Sequence, residues 1–252
     1  RIFSGKPMKR NRPRPMSLSR LTRHSICVMP RSAQAICAWK FGSPSGAGLI
    51  ASTPNLVVVP TDSSYKSVQD IIAASKGGAK LTYGSAGIGS TTHMSVELFD
   101  AMSGSRMTHV PYKGVSPAEV DLISGTISLM FDSITTAAPL VHSGKIKALA
   151  TTGKERSPFF ADLPTVDETG LKGYEVEAVY MLLAPAKTPP DVVKKLTEAV
   201  KEISSEASTR QAFKNFYATQ VSGGPEETRE FLKNEVAKWT GLVKNSNIKI
   251  EQ

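Results

Sequence analysis

From Leu56 to Leu183 the hydrophobic period changes repeatedly: short apolar runs alternate with stretches of helical spacing, and Gly or Pro marks the joins. Leu56-Val57-Val58-Val59, ended by Pro60, reads as a buried strand. Ser67 follows as a helix N-cap, with Ile71 and Ile72 on the inner face and Gly77-Gly78 as the stop. Lys80–Tyr83 reads as a strand, and Met94, Leu98, Phe99 and Met102 mark the buried stripe of a helix closed by Gly104. A strand at Arg106–Val110 leads to Ser116-Pro117-Ala118-Glu119, which has the form of a capping box with Pro at the first helical position. Ile127–Phe131, Ile146–Ala150 and Val176–Leu183 read as further strands, Thr135–Ser143 as a helix, and Thr165–Glu168 as a second capping box. Three helices starting near Pro189, Ser208 and Pro225 complete the chain. Such alternation predicts an α/β fold with a largely parallel sheet.

The 252 residues allow a sizeable core, and no apolar run is long enough to span a bilayer as a helix. The net charge of +9 is confined to one end. Residues 1–48 hold ten Lys and Arg and no acid; with 31 basic and 22 acidic residues in all, 21 against 22 remain in the body. A neutral body argues against nucleic-acid binding. The basic segment has no helical or strand period, and its apolar patch Ile26–Met29 is broken by Pro30 and Arg31, unlike a secretory signal. It reads as disordered, with the Arg, Pro and Ser bias of a shifted reading frame. Cys27 and Cys37 alone imply no disulfide framework.

The turn Gly84-Ser85-Ala86-Gly87-Ile88-Gly89-Ser90-Thr91-Thr92 lies between a strand and a helix, where glycines admit close backbone approach and helix N–H groups favour an anion. Ser85, Ser90, Thr91 and Thr92 add hydroxyls; the plainer alternative is a glycine turn in which Ser90 or Thr91 only caps the helix. The spacing imitates a phosphate loop, but Ser90 stands where the lysine should be, and the dinucleotide fingerprint fails after Gly89. No cofactor is therefore expected. Lys113 and Tyr112, in the loop Pro111-Tyr112-Lys113-Gly114, could pair with a carboxylate, or be a solvated Lys and a packed Tyr. Asp132, at a strand's end, could cap the next helix or meet a ligand amine or hydroxyl. His93, His109 and His142 fall on separate elements, and no nucleophile elbow or metal motif accompanies them. An enzyme is not expected; an α/β hydrolase or transferase acting on a carboxylate substrate is the alternative.

From about Gly48 onward the chain resembles the tripartite tricarboxylate transporter substrate-binding family, also called Bug proteins. The resemblance is carried by Tyr83-Gly84-Ser85-Ala86-Gly87, Gly89-Ser90-Thr91-Thr92-His93, His109-Val110-Pro111-Tyr112-Lys113-Gly114, Met130-Phe131-Asp132, Gly144–Ala150, Arg156-Ser157-Pro158, Leu163–Val166 and Leu183-Ala184-Pro185-Ala186. It implies a monomeric periplasmic receptor of the type II binding-protein fold, whose two lobes close on a small carboxylate for membrane permease subunits. Ser85, Ala86, Gly87, Gly89, Ser90, Thr91, Thr92, Tyr112, Lys113, Gly114 and Asp132 are the ligand-binding residues it implies. Residues 60–175 would form a nearly complete second lobe. Residues 49–59 and 176–252 would form a partial first lobe, with Leu56–Val59 and Val176–Leu183 as crossovers. Residues 1–48 show nothing of the family's opening strand and Pro/Gly loop. Ligand affinity is accordingly expected to be weak or absent. The apolar faces Val193, Leu196, Val200, Ile203 and Leu232, Val236, Trp239, Val243 are expected to lack partners.

Overall fold

The structure, a computed structural model, describes residues 45–245. The expectations for the basic segment and its cysteines therefore lie almost wholly outside the described residues. Seven strands and seven helices follow one another as β1 Ser45–Pro60, α1 Val68–Lys76, β2 Thr82–Ser85, α2 Thr91–Ser103, β3 Thr108–Pro111, α3 Val115–Ile123, β4 Leu129–Ser133, α4 Ile134–His142, β5 Ile146–Thr151, β6 Glu177–Ala184, α5 Pro190–Ser205, α6 Ala207–Asn215, β7 Thr219–Gly223 and α7 Pro225–Asn245. Among the described residues no helix is long and apolar enough to cross a membrane.

The organising element is β1. Its first part, Ser45–Pro54, lies between β6 and β7, and its second part, Asn55–Pro60, lies between β4 and β5. Packed clusters on both faces of the sheet require this part of the strand to be apolar on both, which explains the unbroken run Leu56–Val59. Alternation then divides that run: Leu56 and Val58 enter one core cluster, Val57 and Val59 the other. The strand order around the second part is β3-β2-β4-β1-β5. Only β2–β3 and β2–β4 pair in parallel; all four pairings of β1 are antiparallel. The expected largely parallel sheet is thus a mixed one, because the longest strand runs against its neighbours.

Two clusters flank the β2–β5 sheet. One packs Tyr83, Phe131 and Leu129 against Phe99 of α2 and Ile71 of α1, and also receives Trp239 and Leu242 from α7. The other packs Leu56, Val58 and Met130 beneath Leu122 of α3 and Ala137 of α4. Trp239 is therefore buried and Val243 packs against the first cluster, contrary to the expectation that this helix face lacks a partner. Ile203 of α5 does remain exposed, at 55%. Met102, expected in the α2 stripe, is also exposed, since the helix buries its Thr91–Val96 end and Phe99 instead.

Candidate functional site

The glycine turn is set by its neighbours in the sheet. Ser85 ends β2 in register with Pro111 of β3, and Tyr112 N–H bonds to the Ser85 carbonyl at 3.1 Å. The turn and the Tyr112–Gly114 loop are thus adjacent at one edge of the sheet. Gly87 has φ of 120°, a conformation L side chains rarely adopt, and a side chain there would also meet the Tyr112 carbonyl. Gly84 is constrained differently, by space: an added Cβ would lie 2.5 Å from Ile127 Cδ1, which would have to move.

Most of the turn's donors are spent within it. Ala86 N–H bonds to Thr92 Oγ1 at 2.9 Å, Gly87 N–H to Ser85 Oγ at 3.1 Å, and Gly89 N–H to His93 Nδ1 at 3.1 Å. Ser90 is the N-cap of α2: its Oγ accepts from His93 N–H at 3.3 Å, bonds to the Gly87 carbonyl at 2.7 Å, and lies 2.9 Å from Thr92 Oγ1. The N–H groups of Ile88, Thr91 and Thr92 have no acceptor among the described residues. The first turn of α2 carries no acidic side chain, so the positive end of its dipole is not met by a carboxylate of its own.

Behind the turn lies an aromatic stack that sequence reasoning did not find. His109 stands between Tyr83 and His93, with ring centroids 4.8 and 4.1 Å away. Ser85 Oγ lies 2.6 Å from His109 Nε2, the direction of that bond depending on the His tautomer. Because His93 Nδ1 accepts from Gly89, its proton belongs on Nε2, which faces Glu97 Oε1 at 3.5 Å. Tyr83 donates to the same oxygen at 2.6 Å. Bonds from His93 and Tyr83 hold the Glu97 carboxyl below its ordinary range. Burial and the neighbouring His93 push His109 down to about 4, so it is neutral at pH 7. The hydroxyl of Ser85 is wholly buried in this network. It faces inward, whereas the sequence reading made it a hydroxyl donor to a bound anion.

The other expected residues divide in the same way. Lys113 is exposed. Tyr112 gives its hydroxyl proton to Asp121 at 2.6 Å and packs against the α3–α4 cluster, which is the packed alternative considered above. Burial, then Asp121, pushes the phenol up to about 12. Asp132 is fully buried and accepts from Thr136 Oγ1 at 3.0 Å without capping α4. The Ser116 capping box does not form either: α3 starts two residues earlier, from Gly114 at φ of 114°, with no side-chain cap. Glu119 turns instead toward Asp132.

The site adjoins the place where β1 changes sheets. Asn55, buried there, donates through Nδ2 to Ser95 Oγ at 2.8 Å and to the Thr91 carbonyl at 3.5 Å. Its N–H bonds to Thr152 Oγ1 at 2.7 Å, and Thr152 N–H returns to the Asn55 carbonyl at 2.9 Å. The joint between the sheets is therefore bonded directly to the N-terminal turn of α2. Neither Asn55 nor Thr152 was singled out in sequence, because each lies outside any periodic pattern. Among the described residues no group of three or more His, Cys, Asp or Glu is arranged to hold a metal ion.

Two sheets sharing one long strand, with helices on both faces, define the type II periplasmic binding-protein fold, and solved structures of that class superpose on the chain. The periplasmic binding protein BugD matches with a TM-score of 0.75 at 27% identity, over 90% of this chain and 79% of that one. A Rhodopseudomonas palustris protein solved with adipate, Rpa4515, matches with a TM-score of 0.72 at 33% identity, over 81% and 69%. MatC from the same organism, solved with malate, gives 0.69 at 27% over 80% and 70%. The sequence model of the tripartite tricarboxylate transporter family receptors matches residues 37–248, and the chain belongs to that family. A relative from Pseudomonas sp. strain P51, the UPF0065 protein of the tcbD–tcbE intergenic region, is 32% identical over 77% of this chain. Protein BugT of Bordetella pertussis is 27% identical over 81% of it. The chain spans only 59% and 63% of those two proteins' lengths.

Proposed function

We propose that this protein is the extracytoplasmic, periplasmic solute-binding receptor of a tripartite tricarboxylate-type transporter. It captures a small di- or tricarboxylate, or an acidic amino acid, and presents it to membrane permease subunits. The observation that carries this reading is the N-terminal turn of α2, whose first backbone donors are unpaired among the described residues although Thr91 and Thr92 are themselves buried. Ile88, Thr91 and Thr92 offer N–H donors without acceptors among the described residues, at a helix end with no acid of its own and beside the joint of the two sheets. The adipate and malate of the two related structures support a carboxylate as the anion.

In this reading Ser90, Thr91 and Thr92 meet the carboxylate, while Ala86, Gly87 and Gly89 shape the turn that holds those donors. Ser85 supports it from below through His109. Lys113 and Gly114 border the same edge, and Lys113 contributes long-range attraction. Tyr112 and Asp132 act behind the surface, their polar atoms being committed or buried.

Thr91→Pro tests the assignment, because proline at the first helical position removes one N–H while preserving the helix. The extended conformation of Ser90 (φ −67°, ψ 162°) accommodates a following proline. Losing a hydrogen bond to a charged ligand should cost about 1.5–3 kcal/mol, or roughly ten- to a hundredfold in affinity. Calorimetry with adipate, malate, citrate and aspartate should show this loss in Thr91→Pro and not in Thr91→Val. Equal affinities for the two variants would remove the turn from the binding site.

One observation favours a hydrolase instead, namely the 2.6 Å contact of Ser85 with a neutral His109. Against it, Ser85 is sealed from solvent and its Oγ also accepts from Gly87. Ester turnover lost in Ser85→Ala would restore that reading.

A further inference from the structure

Asp132 and Glu119 meet beneath α3 and α4 in an arrangement that carboxylates alone do not explain. Asp132 is wholly buried, and one of its oxygens, Oδ2, has no hydrogen-bond donor. Glu119 Oε1, on the facing side chain, is likewise buried and without a donor. The two carboxyl groups lie close enough for each to affect the other's titration. Each presents an acceptor to the other, and two ionised carboxylates so placed in a low-dielectric interior repel strongly. The remaining surroundings offer little relief. Thr136 of α4 donates to Asp132 Oδ1, and the Ser133 backbone also bonds to this carboxyl. The β1 position in register with Asp132 is Leu56, which is apolar. Asp121, also on α3, is turned to Tyr112, and Lys113 is exposed.

We propose that Glu119 and Asp132 hold one proton between them, and that this shared proton latches the first turns of α3, and with them the Tyr112–Gly114 loop, onto β4. One carboxyl then donates to the other, satisfying both otherwise donorless oxygens with a single hydrogen. Glu119 is a positioning residue in this arrangement: it acts on the loop through Asp132 and α3. Burial raises both groups above the ordinary carboxylate range; the charge of Glu119 raises Asp132 further, while the contact with Asp132 draws Glu119 partly back down. The sign follows from the linkage: a raised folded pKa gives stability that is complete below the unfolded value and lost as pH rises through the folded one. The latch is therefore closed in acid and released by base, opposite in direction to the usual salt-bridged carboxylate. It does not depend on which ligand the protein takes.

The test compares wild type, Glu119→Gln and Asp132→Asn by thermal unfolding across pH 5 to 9, with hydrogen exchange at Val115–Glu119. Gln keeps a permanent donor opposite Asp132, so its Tm should lose the wild-type decline with rising pH, and Asn opposite Glu119 should do likewise. Wild-type exchange in this segment should accelerate at least tenfold beyond the intrinsic base catalysis of exchange as the pH rises. Carboxyl NMR should show one of the two groups still protonated above the ordinary carboxylate range. Parallel Tm profiles in all three proteins, or two carboxyls titrating in the ordinary range, would overturn the proposal. If Glu119→Gln fails to fold, Asp132→Asn and the wild-type carboxyl spectrum decide the question.

Discussion

The two sheets built on β1 differ sharply in how they are buried. Around Asn55–Pro60 the strand is enclosed by two clusters in which Phe131, Phe99, Leu122 and Ile134 are wholly buried. Around Ser45–Pro54 the core cluster reduces to Leu49, Val179 and Met181, and the only buried residues of α5 are the polar Thr197 and Ser204. The C-terminal half of α7 sends Trp239 and Leu242 to the richer side. Rigidity is thus concentrated in the sheet that carries the glycine turn. A clamp needs one rigid jaw on which donors are preorganised and a joint about which the other can move.

The largest effect that sharpens this contrast is expected in the enclosed sheet. Phe131→Ala should cost about 3–5 kcal/mol in denaturant unfolding, since the ring meets Phe99 edge-on at 5.3 Å and has no solvent to relax into. Asn55→Ala at the joint should cost about 1–3 kcal/mol, because its side-chain amide and its partners lose their bonds together. It should also loosen α2 relative to β1, seen as faster exchange near Ser95.

A smaller effect concerns the stack behind the turn. With His109 depressed to about 4, its contribution to stability is full above the unfolded value near 6.5 and is lost as pH falls through about 4. His109→Gln should therefore unfold with a shallower acid limb than wild type; an unchanged limb would show that His109 is not held neutral by the fold. The smallest effect belongs to the sparse side, where Ile203→Ser should change stability by no more than about 0.5 kcal/mol. A loss of several kcal/mol there would mean that something covers α5.

Local signals were legible in the sequence and long-range ones were not. Ser67 caps α1 as expected, and its box with Asp70 forms in full, because every bond spans three residues. The Thr165 and Glu168 bonds also form, at 3.1 and 3.0 Å, but on a turn that does not continue as a helix. At Ser116 the same pattern misled, since burial of Asp132 draws Glu119 away from the helix end. The strand read at Leu56–Val59 is the tail of one beginning at Ser45, whose Gly and Ala residues carry little apolar signal although this part pairs with β6 along its length and with β7 at Leu49–Ser52. β7 was missed for a related reason: Thr219–Gly223 is short and half exposed. The site shows the same division. Its glycines, Ser90 cap and helix start were readable, whereas the meeting of His93, His109 and Ser85 depends on the pairing of β2 with β3.

The central claim is that a carboxylate sits on the free donors at the start of α2. Titrating malate and adipate into the ¹⁵N-labelled chain tests it most directly. The account predicts saturable shifts, largest at the Ile88, Thr91 and Thr92 amides, with Gly87 and Gly89 following as their neighbours. Saturable shifts centred elsewhere, or none at these amides at millimolar ligand, would contradict it.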